Sequence, residues 1–173
     1  MTARLGLGVP GSWVVTVAVA AAWTVLMLAY SPLADRFARR WFPDPPNLAA
    51  SRPVQQSWVK LAAGIVVAWL LGGFLEELLA RGVAQQSIQT WLTPALPRAV
   101  AATVAVLVAA TGAALAHFYQ GRRAMLIVLQ LSVLFGVLMI VSGHHLWTVI
   151  ICHGLYDTVA FVRFARGTSR YAR

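Results

Sequence analysis

The chain holds five acidic residues, Asp35, Asp44, Glu76, Glu77 and Asp157, and three of them, Glu76, Glu77 and Asp157, stand inside apolar runs. An ionisable carboxylate in a membrane interior costs at least ~2.5–3.5 kcal/mol on insertion scales, so it faces a bundle interior or a wet cavity and finds a partner there. In FLEELLARG, Glu77 and Arg81 are four residues apart on one helical face, with the acid N-terminal to the base, the better order for a pair. Glu76 points roughly 100° away from Glu77 on a regular helix. The simplest division pairs Glu77 with Arg81 and leaves Glu76 free to accept a proton.

Two of the four histidines add to this. His117 lies in ALAHFYQG near the end of one apolar run, and His153 lies in ICHGLYD with Asp157 four residues on, on the same face. A carboxylate one turn from an imidazole fixes its tautomer or holds it as an oxyanion donor. The adjacent His144 and His145 fall in a connection and read as interfacial. Glu76, His117 and His153 come from three different runs. A glutamate with two histidines suffices to bind and deprotonate a water, with or without a metal. The zinc-protease HExxH helix is absent, and Ser132 and Ser142 have no nucleophile motif around them. The single cysteine, Cys152, excludes an internal disulfide and a multi-cysteine metal site.

The elements that must position these groups are membrane spans. Hydrophobic residues make up 60% of the 173 and charged residues only 11%, against about a quarter in soluble chains. The predicted fold class is therefore all-α, a polytopic transmembrane bundle of about five spans around a polar cavity. The runs extend from Trp13 to Tyr30, Trp58 to Leu79, Val100 to Tyr119, Ala124 to Val141 and Leu146 to Phe164. The first is longer than a signal-peptide core and reads as a retained span. The second is predicted to continue helically through ARGVAQQSIQTWL and end before Pro94. Between the first two, SPLADRFARRWF reads as a short interfacial helix, broken by Asp44 to Pro46. Trp13, Trp58, Trp91 and Trp147 mark span ends as an aromatic belt.

The net charge of +9 comes from basic residues scattered between apolar runs, which excludes a nucleic-acid face and suggests cytoplasmic loops. Arg36, Arg39, Arg40 and Arg52 with Lys60, then Arg122 and Arg123, then Arg163, Arg166, Arg170 and Arg173 lie on one side; Arg4 and Arg98 lie on the other. Loops one and three and the C-terminus are thus predicted cytoplasmic. The chain divides into residues 1–56, a span and a proline- and arginine-rich loop; residues 57–165, a membrane core; and residues 166–173, a basic tail.

The pattern resembles the CPBP intramembrane proteases, also called the Abi family, which include type II CAAX prenyl endopeptidases and bacteriocin-processing or self-immunity proteins. EELLAR matches the family's EExxxR motif, ALAHFYQG resembles FxxxH, and HGLYD matches HxxxN or a related polar residue. The three occur in the family's order across about Leu61 to Phe161. The resemblance implies that Glu76 activates the water with help from His117. It implies that His153 and Asp157 steady the oxyanion, while Glu77 and Arg81 hold the helix in place. No cofactor is required on that reading; the alternative is Zn2+ held by Glu76, His117 and His153. An ionised Asp157 would repel an oxyanion, so Asp157 is either protonated or acts by keeping His153 charged or oriented.

Two departures stand out. Ala113 replaces the FxxxH phenylalanine, which alters packing beside His117. The chain is also shorter than many members, so substrate gating differs or requires a membrane-protein partner. The expected function is hydrolysis of a peptide bond in a membrane-anchored peptide or protein, among membrane lipids and with no nucleic acid. The alternatives are a non-catalytic scaffold or self-immunity protein of the same family and, from another class, a small proton or ion transporter. Against the transporter stands the absence of inverted repeats or interrupted half-helices. In a plain five-span arrangement His117 falls nearer the cytoplasmic face than Glu76 and His153, so their convergence requires a tilted, broken or extended helix.

Overall fold

A computed structural model describes residues 5–168; Arg4, Arg170, Arg173 and most of the predicted basic tail lie outside the described residues. Five helices are long and apolar enough to cross a membrane: α1 (Trp13–Trp41), α2 (Trp58–Leu92), α3 (Arg98–Ala116), α4 (Arg122–Val141) and α5 (Leu146–Ala165). The described residues contain no strand. Ser12 and Ser57 cap α1 and α2 through their side-chain oxygens, which accept from the amides of Val15 and Lys60. Hydrophobic side chains such as Val14, Val66 and Leu107 stay exposed on the outer faces, as a lipid-facing bundle requires.

The central packing unit is α1, α4 and α5, with Met27, Leu138, Met139, Leu146, Val149 and Cys152 fully buried between them. α3 lies against α4 on a face of small residues that includes Ala105, Ala109 and Ala113, which lets the two backbones approach closely. α2 packs its first half on α5 and its second half on α3.

α1 corrects one expectation. The segment from Ser31 onward is not a separate interfacial helix; it continues α1 to Trp41, with Pro32 inside. The reason is electrostatic. Asp35, read from sequence as part of that interfacial helix, is buried and paired with Arg123 of α4 at 2.7 Å. Arg123 also donates to the Pro43 carbonyl at 3.1 Å. A polar turn that would have left the bundle for the interface is held in it by that pair.

α2 runs unbroken to Leu92, as expected, but it is not a uniform α-helix. Two consecutive π-helical stretches, Trp69–Glu76 and Leu78–Gln85, meet at Glu77. Wide i→i+5 turns of this kind concentrate at functional sites. They also alter the angular argument made above, because Glu76 and Arg81 are five residues apart and both line the central cavity.

Candidate active site

A cavity of about 700 Å³ opens between the helices, and its wall includes Glu76, Arg81, His117, His153 and Asp157. Three helices supply these side chains: α2 gives Glu76 and Arg81, the end of α3 gives His117, and α5 gives His153 and Asp157. His117 shares that wall with Glu76 and His153 across the height of the cavity. The cavity reaches from Phe135 and His153 in the bundle interior to Leu48, Tyr119 and Gln120 at the end where α3 stops, so α3 need not break.

Glu77 is the most tightly held of the acids. It is fully buried, its Oε1 lies 2.6 Å from His153 Nδ1, and its Oε2 lies 3.2 Å from Arg81 Nε. The expected Glu77–Arg81 pair is present, and the bond to His153 is additional. In that bond the imidazole Nδ1–H donates to the carboxylate, which fixes the ring and turns Nε2 toward Asp157, whose Oδ2 is 3.5 Å away. Phe135 stacks on His153 with centroids 4.6 Å apart, and Arg81 sits over the same phenyl ring at 5.5 Å.

Arg81 is itself buried and donates to Ser132 of α4, at 2.8 Å to the carbonyl and 2.5 Å to the hydroxyl. One turn along, Gln85 donates to the Gly136 carbonyl at 3.1 Å. Sequence reasoning missed Ser132, Phe135 and Gln85. A signal was present, since 77, 81 and 85 form a polar row at helical spacing opposite 132 and 136 at the same spacing.

Glu76 differs from its neighbour. It is half-buried on the cavity wall and makes no hydrogen bond or ion pair within the described residues. His117 ends α3 with its ring half-buried, and its Nδ1–H donates to the Ala113 carbonyl at 2.8 Å. That bond leaves Nε2 as an acceptor. The carbonyl that orients the histidine belongs to the main chain of residue 113, so it does not depend on alanine standing where the motif has phenylalanine.

Gly72 explains how α2 lies so close to the face of α5 that carries His153 and Asp157. A Cβ there would stand 3.0 Å from Asp157 Oδ2 and 3.4 Å from His153 Nε2. At the crossing itself, a Cβ on Gly154 would overlap the Trp69 indole, whose Nε1–H donates to Thr158 Oγ1 at 3.0 Å.

No group of three or more His, Cys, Asp or Glu side chains among the described residues is placed to hold a metal ion. Glu76, His117 and His153 share a wall without forming a ligand cluster.

The fold and site define a class: multi-pass helical membrane proteins with an acid–histidine cavity inside the bundle. The family model described as Type II CAAX prenyl endopeptidase Rce1-like matches residues 58–159, and the chain belongs to this family of CPBP intramembrane proteases. The match contains all three motifs and excludes α1. No curated protein and no solved structure matches the chain.

Proposed function

We propose that the protein is an intramembrane endopeptidase that hydrolyses a peptide bond of a membrane-anchored substrate with a water activated by Glu76. The observation that carries this reading is the contrast between two adjacent glutamates. Glu77 is committed to His153 and Arg81, while Glu76 faces the cavity without a partner. His117 Nε2 accepts one water hydrogen while Glu76 takes the other as a proton. The hydroxide attacks the scissile carbonyl, and the carbonyl pair becomes the oxyanion. A proton on His153 Nε2, between the ring and Asp157, donates to that oxyanion; Glu77 and Arg81 act only through His153. Glu76 then returns its proton to the leaving amine, the C–N bond breaks, and acid and amine are released.

Loops one and three and the C-terminus are proposed to be cytoplasmic. The basic residues Arg39, Arg52, Arg122 and Arg163 support this, since all belong to the end of the bundle where the cavity wall includes Tyr119 and Gln120.

The test compares newly formed protein termini in membranes of cells expressing wild type or Glu76→Gln at equal folded levels. Termini that appear only with wild type support the endopeptidase and name its substrate. Identical profiles overturn it in favour of the scaffold or self-immunity role.

A further inference from the structure

Ser31 of α1 and Tyr156 of α5 both line the cavity, and their hydroxyl oxygens lie 2.6 Å apart. The direction of this bond follows from the next one. Both contacts are hydrogen bonds at once only when Ser31 Oγ gives its one proton to the Met27 carbonyl, 2.9 Å away, and the Tyr156 phenol donates to Ser31. With its proton committed, the Tyr156 oxygen offers the cavity lone pairs only. It is an acceptor of fixed orientation, three residues from His153 and adjacent to Asp157 on α5.

Such an acceptor answers a specific need of proteolysis in lipid. A helical substrate hides its scissile bond and satisfies its own amides. Once unwound in a water-poor interior, its N–H groups require acceptors. Three acceptors on this wall have other work: Glu76 takes the proton, His117 orients the water, and Asp157 faces His153.

We propose that Tyr156, with its proton held by Ser31, accepts a hydrogen bond from a main-chain N–H of the unwound substrate and thereby fixes which peptide bond lies over Glu76. This rests on the endopeptidase reading above. Ser31 lies outside the family-matched residues 58–159, so α1 contributes to substrate register through a residue that the family match does not include.

The experiment maps termini produced in membranes by wild type, Glu76→Gln, Tyr156→Phe and Ser31→Ala, each normalised to folded protein. Tyr156→Phe keeps the ring and removes the acceptor; Ser31→Ala keeps the phenol and frees its proton. Both are expected to spread the Glu76-dependent cuts over neighbouring bonds and to lower their yield about tenfold, the value of one hydrogen bond. A merely structural role would lower the amount of folded protein without moving the cut positions. If both variants cut the wild-type bond at wild-type yield, the proposal is overturned. If wild type and Glu76→Gln give identical profiles, the endopeptidase reading itself fails and this inference falls with it. Should Tyr156→Phe not fold, the cut positions of Ser31→Ala decide alone.

Discussion

His153 Nδ1 lies 2.6 Å from Glu77 Oε1, so the second glutamate of the EExxxR motif holds the histidine of the third. The same carboxylate faces Arg81, which reaches Ser132 on α4. One buried acid thus ties α2, α4 and α5 together, and the acid beside it faces the cavity.

The two glutamates should therefore fail in different ways. Glu76→Gln is expected to lower Glu76-dependent cleavage by about 10²–10⁴-fold, the usual contribution of a general base. Its stability should stay within about 0.5 kcal/mol of wild type, because the side chain has no partner to lose. Cleavage yield and thermal unfolding in one detergent check both; a Glu76→Gln variant that cleaves normally would remove Glu76 from the reaction.

Glu77→Gln should instead destabilise the protein and reduce its folded amount. It strands Arg81 in the core, and leaving a buried charge without its partner costs about 3–5 kcal/mol. Ser132→Ala removes a neutral partner of the same arginine and should cost only about 1–3 kcal/mol. The order of these two in a denaturation series is the measurement. A Ser132→Ala variant less stable than Glu77→Gln would mean that the serine, not the acid, anchors Arg81.

Gly154→Ala and Gly72→Ala separate packing from chemistry. The first drives a methyl into Trp69 and should cost about 1–3 kcal/mol as overpacking. The second places its methyl against Asp157 and His153 and should depress cleavage more than it lowers the unfolding temperature. Equal losses of activity and stability in Gly72→Ala would contradict that separation.

Asp35 and Arg123 form a buried pair at 2.7 Å. Replacing either alone leaves a buried charge, so Asp35→Asn and Arg123→Met should each be more destabilising than the two combined. A double-mutant cycle measures the coupling, and simple additivity would show that the pair does not hold the end of α1.

Zinc can be tested directly. On the glutamate-activated-water reading, a strong chelator leaves Glu76-dependent termini unchanged, and purified protein carries substoichiometric metal. Loss of cleavage on chelation, with recovery on adding Zn2+, would transfer water activation to a metal.

Much of this arrangement was legible in the residues. Apolar runs of span length announced the helices, and three acids within those runs marked the site, because composition alone penalises them there. The Glu77–Arg81 pair followed from spacing. What could not be read was which polar residues meet across helices. Asp35 and Arg123 are 88 positions apart, and on their own one reads as part of an interfacial helix and the other as a loop residue. Ser132 has no local motif, since its partner belongs to α2. The π-helical turns were invisible for a similar reason: no proline or glycine pattern requires them, and only the geometry of α2 against α5 and α3 shows them. The same distortion undid the assumption of regular helical angles around Glu76.

The 35 residues of α2 would span about 52 Å as a straight α-helix, while a typical hydrocarbon core is about 30 Å thick. Even shortened by its wide turns, α2 exceeds the slab and must lean or project. Helices that exceed the slab adjust their tilt as the bilayer thickens or thins. Because Glu76 rides on α2 while His153 rides on the 20-residue α5, which fits the core without tilting, lipid acyl length becomes a variable in the alignment of acid and histidine.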